Sequence, residues 1–141
     1  MTSDLITRLT KLDAPDREVD AEIWLIELQS AESDPFGGYG LAKDWRYEYE
    51  AEEDGSVIQY ARNGQVMHKI GRRSSPAFTG STDAVIALAD RELPGWDYIL
   101  RRNFAEFRHP SDFKRDAQGY AFNTATAACI ALLRAKEASN A

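Results

Sequence analysis

The chain has 141 residues with ordinary contents of 43% hydrophobic and 28% charged residues, which suits one globular domain. Its one cysteine, Cys129, cannot form a disulfide within the chain. No apolar run approaches the ~20 residues that span a bilayer, and the N-terminus has no secretory pattern. We therefore expect a cytoplasmic protein without a membrane partner. The net charge of −6 divides into −10 over residues 1–54 and +4 over residues 55–141. The negative net charge of the chain argues against general nucleic-acid binding, although the basic segment, residues 55–141, could bind a small anion.

The first two elements are predicted to be helices. Apolar residues at helical spacing indicate a short amphipathic helix over residues 3–12. Asp13 can cap a second helix and Pro15 suits its first turn. We expect this helix to end near Gln29 and to be buried on more than one side, because its apolar face is broad. Acidic residues crowd its start, over residues 16–22, and we interpret them as complementing the helix dipole, in preference to catalytic acids.

The middle of the chain predicts a loop and then an antiparallel meander. Residues 30–44 contain a proline and three glycines, which break helices and strands. Aromatic and charged residues alternate from Trp45 to Ala51, as in a half-buried strand. Two further strands flank Asn63-Gly64, a strong hairpin signal. A two-residue loop at that dipeptide would pair Ala61 with Val66.

The next part of the chain predicts a helix followed by strands. Ser81 or Thr79 can cap a helix over residues 82–93, which Pro94-Gly95 would end. A strand begins at Trp96, where aromatic and charged residues alternate again. The pattern leaves open whether the chain from Phe104 to Phe122 adds one strand or a further hairpin.

The last element is predicted to be a helix that lies close to a sheet. Asn123 can cap it, its alanines allow a close approach, and residues 138–141 should fray. The order of helices and strands indicates an α+β fold, an α/β/α sandwich in which a mainly antiparallel sheet is flanked by helices on both faces. No repeat or linker interrupts the chain, so residues 1–141 are predicted to form one domain.

Three segments carry a likeness to a known family. They are Pro15 to Ile23, Phe78 to Val85 with Leu93 to Trp96, and Asn123 to Lys136. In this order they resemble the phage ABA sandwich domain, a small domain of bacteriophages and prophages. The family often begins its last helix with Thr-Pro, where this chain has Asn123-Thr124, an equally good start. The resemblance implies a helix/sheet/helix sandwich and a phage setting, implies no catalytic residues, and leaves residues 44–71 as an elaboration that would hold any specialised activity.

No motif in the chain identifies a reaction. The two histidines, His68 and His109, together with one cysteine do not supply the ligand pattern of a zinc or transition-metal site. A Ser-His-Asp site could be drawn from Ser74 or Ser75 with His68, but it needs a proximity that the sequence does not show. The glycines near Gly38 lack the spacing and the lysine of a phosphate-binding loop. We therefore expect no catalytic residues, no metal and no cofactor.

The loop predicted at Arg72-Arg73-Ser74-Ser75 is the strongest candidate for a binding site. Two guanidinium groups beside two hydroxyls could hold a phosphate bidentately, and nearby aromatics could stack a base. The alternative is a flexible loop beside core aromatics. The predicted ligand-binding residues are Trp45, Tyr47, Tyr60, Arg72, Arg73, Ser74, Ser75, Arg101 and Arg102.

Three functions follow as hypotheses. The first is a phage-encoded, non-enzymatic binding protein, in its most specific form a counter-defence factor that sequesters a small nucleotide signal of bacterial immunity in the infected cell, with a pocket deepened at the interface of a homo-oligomer. The second is an acidic interaction module or inhibitor that docks on a host or phage protein. The third is a small hydrolase, which needs two carboxylates, or a carboxylate and a histidine, in one cleft.

Overall fold

The structure, a computed structural model, describes residues 2–30 and 44–140, and within these ranges it contains four α-helices and six strands. The α+β class and the antiparallel pairing predicted from the sequence are confirmed, and the strands form two three-stranded sheets. The chain divides into two compact units, unit 1 (Met1–Asp16 with Ala77–Ala141) and unit 2 (Arg17–Pro76). The loop predicted within residues 31–43 lies outside the described residues. None of the described helices is both long and apolar enough to cross a membrane.

Unit 2 is one helix packed on one sheet. Its elements are α2 (Arg17–Ser30), β1 (Arg46–Ala51), β2 (Ser56–Asn63) and β3 (Val66–Ser74), with the strands in the order β1-β2-β3. Its core forms around Ala21, Leu28 and Val57, which are buried together. Partly buried Trp24 and Tyr49 pack against them, so alternate residues of β1 and β2 face the helix.

The register of the hairpin between β2 and β3 differs from the predicted one. Asn63 pairs with Val66, so the two-residue loop is Gly64-Gln65, and the predicted pairing of Ala61 with Val66 is wrong by two residues. The φ angle is +59° at Gly64 and is not positive at Gln65. This is the pattern of a type II′ turn, which takes glycine at its first central position, whereas a type I′ turn at Asn-Gly needs two positive φ angles.

Unit 1 is a three-helix layer beside a second sheet. Its elements are α1 (Thr2–Thr10), α3 (Thr82–Glu92), β4 (Asp97–Arg101), β5 (Phe104–Arg108), a 3₁₀ turn (Phe113–Arg115), β6 (Ala117–Tyr120) and α4 (Thr124–Asn140). The strand order is β4-β5-β6, which resolves the layout that the sequence left open. Helix α4 packs on β5 and β6, and α1 and α3 pack on α4.

Local caps begin α3 and α4 where the sequence predicts them. The Ser81 hydroxyl accepts a backbone N–H from the first turn of α3, and the Asn123 side chain accepts the N–H of Thr126 at 2.7 Å. Thr79 caps no helix; its hydroxyl accepts the N–H of Asp16 at 2.8 Å, and its carbonyl accepts from the Asn123 amide at 2.9 Å. Helix α4 continues to Asn140, through most of the segment for which the sequence predicts fraying.

Helix α4 lies against β6 with backbone nearly touching backbone. A Cβ atom at Gly119 would collide with the carbonyl oxygen of Ala127 and would lie 2.9 Å from the nitrogen of Ala131. Both alanines are fully buried. The close approach predicted from the alanines of the last helix is therefore present, and it also requires a glycine on the strand.

We expect Gly119→Ala to lower the free energy of unfolding by about 3 kcal/mol, because helix and strand must move apart to admit the methyl group. The matched control is Gly71→Ala in β3, where an added Cβ would meet no atom within 4 Å, and where the change should stay within about 0.5 kcal/mol. Urea unfolding followed by circular dichroism measures both. Equal losses in the two variants would contradict the close contact between α4 and β6.

Glu106 gives the sheet of unit 1 a polar centre. Its carboxylate accepts from the Gln118 amide at 2.6 Å and from Arg108 Nε at 2.8 Å, and the residue is largely buried. The bond from Gln118, followed by the bond from Arg108, holds the pKa of Glu106 below its usual range, although burial opposes the shift.

The stability of unit 1 should therefore depend on pH through Glu106. A carboxyl with a depressed pKa in the folded state stabilises the fold above its unfolded pKa of about 4.3, and loses that contribution as the pH falls through the folded value. Between neutral pH and about pH 3, we expect the free energy of unfolding to fall less for Glu106→Gln than for the unsubstituted protein. Exposed Glu137→Gln is the control and should keep the original slope. Thermal unfolding in a pH series provides the comparison.

Candidate functional site

The predicted Arg-Ser segment is mostly strand, and its two arginines do not converge. Strand β3 extends through Ser74. Arg72 pairs with Ile58, and Arg73 pairs with Val57, across the β2–β3 ladder. Because neighbouring residues of a strand point to opposite faces, the two guanidinium groups leave the sheet on different sides. They therefore do not form a single bidentate clamp on one phosphate.

Other groups of unit 2 already engage this segment. Arg72 Nη2 pairs with the Glu52 carboxylate at 2.8 Å. Arg17 Nη2 donates to the Ser74 hydroxyl at 2.9 Å and to the Ser75 carbonyl at 2.7 Å. The Ser75 hydroxyl is buried and has no hydrogen-bond partner within the described part of the chain. The contacts of this segment thus fasten the end of β3 in place.

The remaining predicted residues are divided between faces and units. Tyr47 pairs with Ala61 and therefore shares the helix-facing side of the unit 2 sheet with Arg73, whereas Tyr60 shares the opposite side with Arg72. Arg101 and Arg102 belong to unit 1, at the turn between β4 and β5, and both are exposed. The nine predicted residues therefore do not form one pocket within unit 2.

An acidic concavity of about 560 Å³ occupies one end of unit 2. Its lining residues are Glu18, Glu50, Ala51, Glu52, Glu53 and Asp54. Among these described residues five are acidic and none is basic. We call this set the acidic concavity; Arg72 reaches it through its ion pair with Glu52.

The turn after β1 explains why three acidic residues stand together there. The Glu52 carbonyl accepts from the Gly55 N–H at 3.1 Å, and Gly55 has a φ of +91°, which favours glycine. The Asp54 carboxylate accepts the N–H of Ser56 at 2.9 Å. This backbone bond, with a second bond from the Ser56 side chain, lowers the pKa of Asp54, so the carboxylate stays ionised.

The acidic concavity is suited to binding cations on larger molecules. Among residues 2–30 and 44–140, no three His, Cys, Asp or Glu side chains are placed to hold a metal ion. The pKa of Asp54 is shifted downward, which is opposite to what a general acid at neutral pH requires. A surface with several ionised, spatially separated carboxylates can attract lysine and arginine side chains.

A second, smaller concavity of about 270 Å³ lies near the tip of the β2–β3 hairpin. Its lining residues are Asp44, Trp45, Arg46, Arg62 and Gly64. The Trp45 ring stacks on His68, with centroids 5.5 Å apart. Glu48 pairs with Arg62 Nε at 2.9 Å and with Arg46 Nε at 3.3 Å, and the bond from Arg62 is the main cause of a lowered pKa for Glu48. We call this set the Trp45 concavity.

Sequence reasoning identified Trp45 but missed Arg46 and Arg62. These two arginines are direct cross-strand partners between β1 and β2. Alternation alone shows that each faces away from the helix, but only the register between the strands places them opposite each other. The Trp45 ring stacks on His68, whose cross-strand partner Ala61 faces the helix, whereas the two arginines face away from it. An aromatic anion that contacts both the ring and the guanidinium groups must therefore reach both faces of the sheet at this end and displace Glu48.

Comparison of the chain with protein families, with curated proteins and with solved structures finds no match. The chemistry of the two concavities is therefore the ground on which a function can be argued.

Proposed function

We propose that this protein is a non-enzymatic binding protein whose acidic concavity holds a basic segment of a partner protein. The observation that carries the proposal is the lining itself, in which five carboxylates and no basic side chain from the described residues surround about 560 Å³. Lysine and arginine side chains match this lining in charge, and arginine can pair bidentately with a carboxylate.

The charge of the whole unit supports the same partner. Residues 17–76 contain twelve acidic and seven basic residues, a net charge of −5. Such a field raises the rate at which a basic partner meets the surface, and it weakens with ionic strength. Backbone hydrogen bonds fix the turn that carries Glu52, Glu53 and Asp54, so its backbone loses little conformational freedom on binding.

The phage setting implied by the sequence resemblance would give this binding a role. In that setting the partner is a basic protein of the bacterial host or of the phage, and the acidic concavity mimics the charge of the nucleic acid that the partner binds. Occupation of the partner's basic surface would then inhibit it, in the cytoplasm of the infected cell.

We expect Glu50→Gln combined with Glu53→Gln to weaken binding of a nona-arginine peptide by about tenfold, because each lost ion pair contributes of the order of 0.5–1 kcal/mol. Glu52 is left unchanged since it pairs with Arg72. Isothermal titration calorimetry measures the affinity, which should also fall between about 50 and about 200 mM salt.

The control for that experiment removes the same charge elsewhere. Asp90→Asn combined with Glu137→Gln changes two exposed acidic residues of unit 1. It should leave the affinity for the peptide within about twofold. A loss in the control as large as in the Glu50/Glu53 variant would show attraction by net charge alone, and would overturn the assignment to the acidic concavity.

One observation favours a second candidate function, the sequestration of a small nucleotide signal. The Trp45 concavity combines a ring that can stack a base with Arg46 and Arg62, which can bind phosphate. Glu48 now occupies both guanidinium groups and must be displaced by the ligand. This candidate would make the protein a counter-defence factor of the kind expected from the sequence.

Two substitutions with opposite effects test the nucleotide candidate. Against a panel of linear and cyclic nucleotides, we expect Trp45→Ala to weaken binding by about tenfold through lost stacking. Glu48→Gln should strengthen it, because both arginines are released from their ion pairs. Calorimetry measures the affinities. The candidate fails when no nucleotide of the panel binds, or when Glu48→Gln weakens binding.

A further inference from the structure

We propose that the outer edge of β3 accepts an extended acidic segment of a partner protein as a fourth strand of the unit 2 sheet. β3 has nine residues and lies at one end of the order β1-β2-β3. Among the described residues no strand pairs with its outer edge. Every residue of β3 is exposed except Gly71, which is half-buried. A long exposed edge offers unpaired backbone groups to another chain, and proteins commonly keep such edges short.

The edge also presents apolar side chains. Val66, Met67 and Ile70 are 52%, 47% and 51% exposed, and all three fall within five consecutive residues. Single exposed apolar residues are ordinary, but a cluster on an unpaired strand indicates a contact surface. Val66 and Met67 are neighbours in the strand and point to opposite faces of the sheet, so an added strand would cover apolar surface on both faces.

The charge of the hairpin selects the partner. Residues 56–74, which include β2 and β3, contain four basic residues and no Asp or Glu, in a chain whose net charge is −6. The basic residues are Arg62, Lys69, Arg72 and Arg73. Arg62 already pairs with Glu48 and Arg72 with Glu52, so Lys69 is the charge that the argument for an acidic partner depends on. Cross-strand pairs of opposite charge stabilise a sheet and like charges destabilise it. An incoming strand with acidic and apolar residues is therefore complementary to this edge.

A second copy of β3 fits the edge less well than an acidic strand does. In an antiparallel pair of two β3 strands centred on Ile70, Lys69 of one copy would lie near Gly71 of the other, and His68 would face Arg72. In this register Lys69 of one copy lies diagonally from Lys69 and Arg73 of the other copy, so like charges approach one another. Charge complementarity thus favours a different, acidic segment.

A bulge sets the length of the segment that can pair. Tyr60 pairs with Lys69 and Gln59 pairs with Gly71, so Ile70 is the extra residue. A bulge bends a strand and interrupts the regular ladder on its free edge as well. The stretch before it, Val66–Lys69, is regular and has two of the three exposed apolar side chains. The partner segment is therefore short, with its acidic residue near Lys69.

The full chain, labelled with ¹⁵N, is titrated with the peptide Ac-Glu-Val-Glu-Phe-Glu-Val-NH₂ and with a second peptide that has lysine in place of glutamate. We expect the glutamate peptide to shift the amide signals of Val66–Lys69 most strongly and to bind at least about tenfold more tightly there than the lysine peptide. The lysine peptide should shift residues 50–54 instead, which reports on the acidic concavity and not on β3.

Variants then identify the charge that is recognised. Lys69→Glu should weaken the glutamate peptide by about tenfold, and Arg102→Glu, an exposed change in unit 1, should leave the affinity unchanged. The proposal is overturned when both peptides perturb β3 equally, when Lys69→Glu binds like the unsubstituted protein, or when light scattering shows a dimer that Lys69→Glu dissociates, since a second copy would then occupy the edge.

Discussion

The guanidinium group of Arg17 is the interaction on which unit 2 depends. Its Nη1 pairs with the Asp20 carboxylate at 2.7 Å, and the Asp20 side chain is only 1% exposed. Its Nη2 donates to the Ser75 carbonyl at 2.7 Å and to the Ser74 hydroxyl at 2.9 Å. One side chain therefore joins the first turn of α2 to the end of β3. Removing Arg17 alone would leave the buried Asp20 carboxylate without this cation, which costs several kcal/mol.

The same joint builds the acidic concavity. A Cβ at Gly55 would lie 2.7 Å from Arg17 Nε, so the turn after β1 rests directly on the arginine side chain. The Gly55 carbonyl also accepts the N–H of Ser75 at 2.9 Å. Glu18, the next residue along α2, is thereby brought to the same hollow as the acidic turn at residues 52–54. The five carboxylates of the acidic concavity are therefore held together by an arginine that forms no part of the lining and that contacts the backbone of the turn.

The sequence predicts those features of the fold that are determined by residues close together in the chain. Ser81 and Asn123 mark the starts of α3 and α4, because a cap acts within one helical turn. The faces of β1 follow from alternation. The register of the β2–β3 hairpin does not follow from a local pattern. Either Asn63-Gly64 or Gly64-Gln65 could form the two-residue loop, and the choice depends on the backbone angles that the paired strands require. Because the predicted register is wrong by two residues, it assigns the wrong cross-strand partner to the residues of β3. The division of the strands into two sheets is set by long-range pairing, which no local pattern contains.

The two ends of the unit 2 sheet carry opposite charge, and this has a consequence for assembly. β1 contains Glu48 and Glu50 with one arginine, Arg46, whereas β3 contains Lys69, Arg72 and Arg73 and no acidic residue. A sheet with one acidic and one basic edge can in principle add copies of itself without limit, as heterologous contacts do. The bulge at Ile70 opposes this, because it removes the regular ladder from half of the basic edge. Glu48 is also drawn to Arg62 and Arg46, which lowers the charge that β1 can offer. The edge of β3 therefore remains open to a short acidic strand while it resists extension by whole molecules.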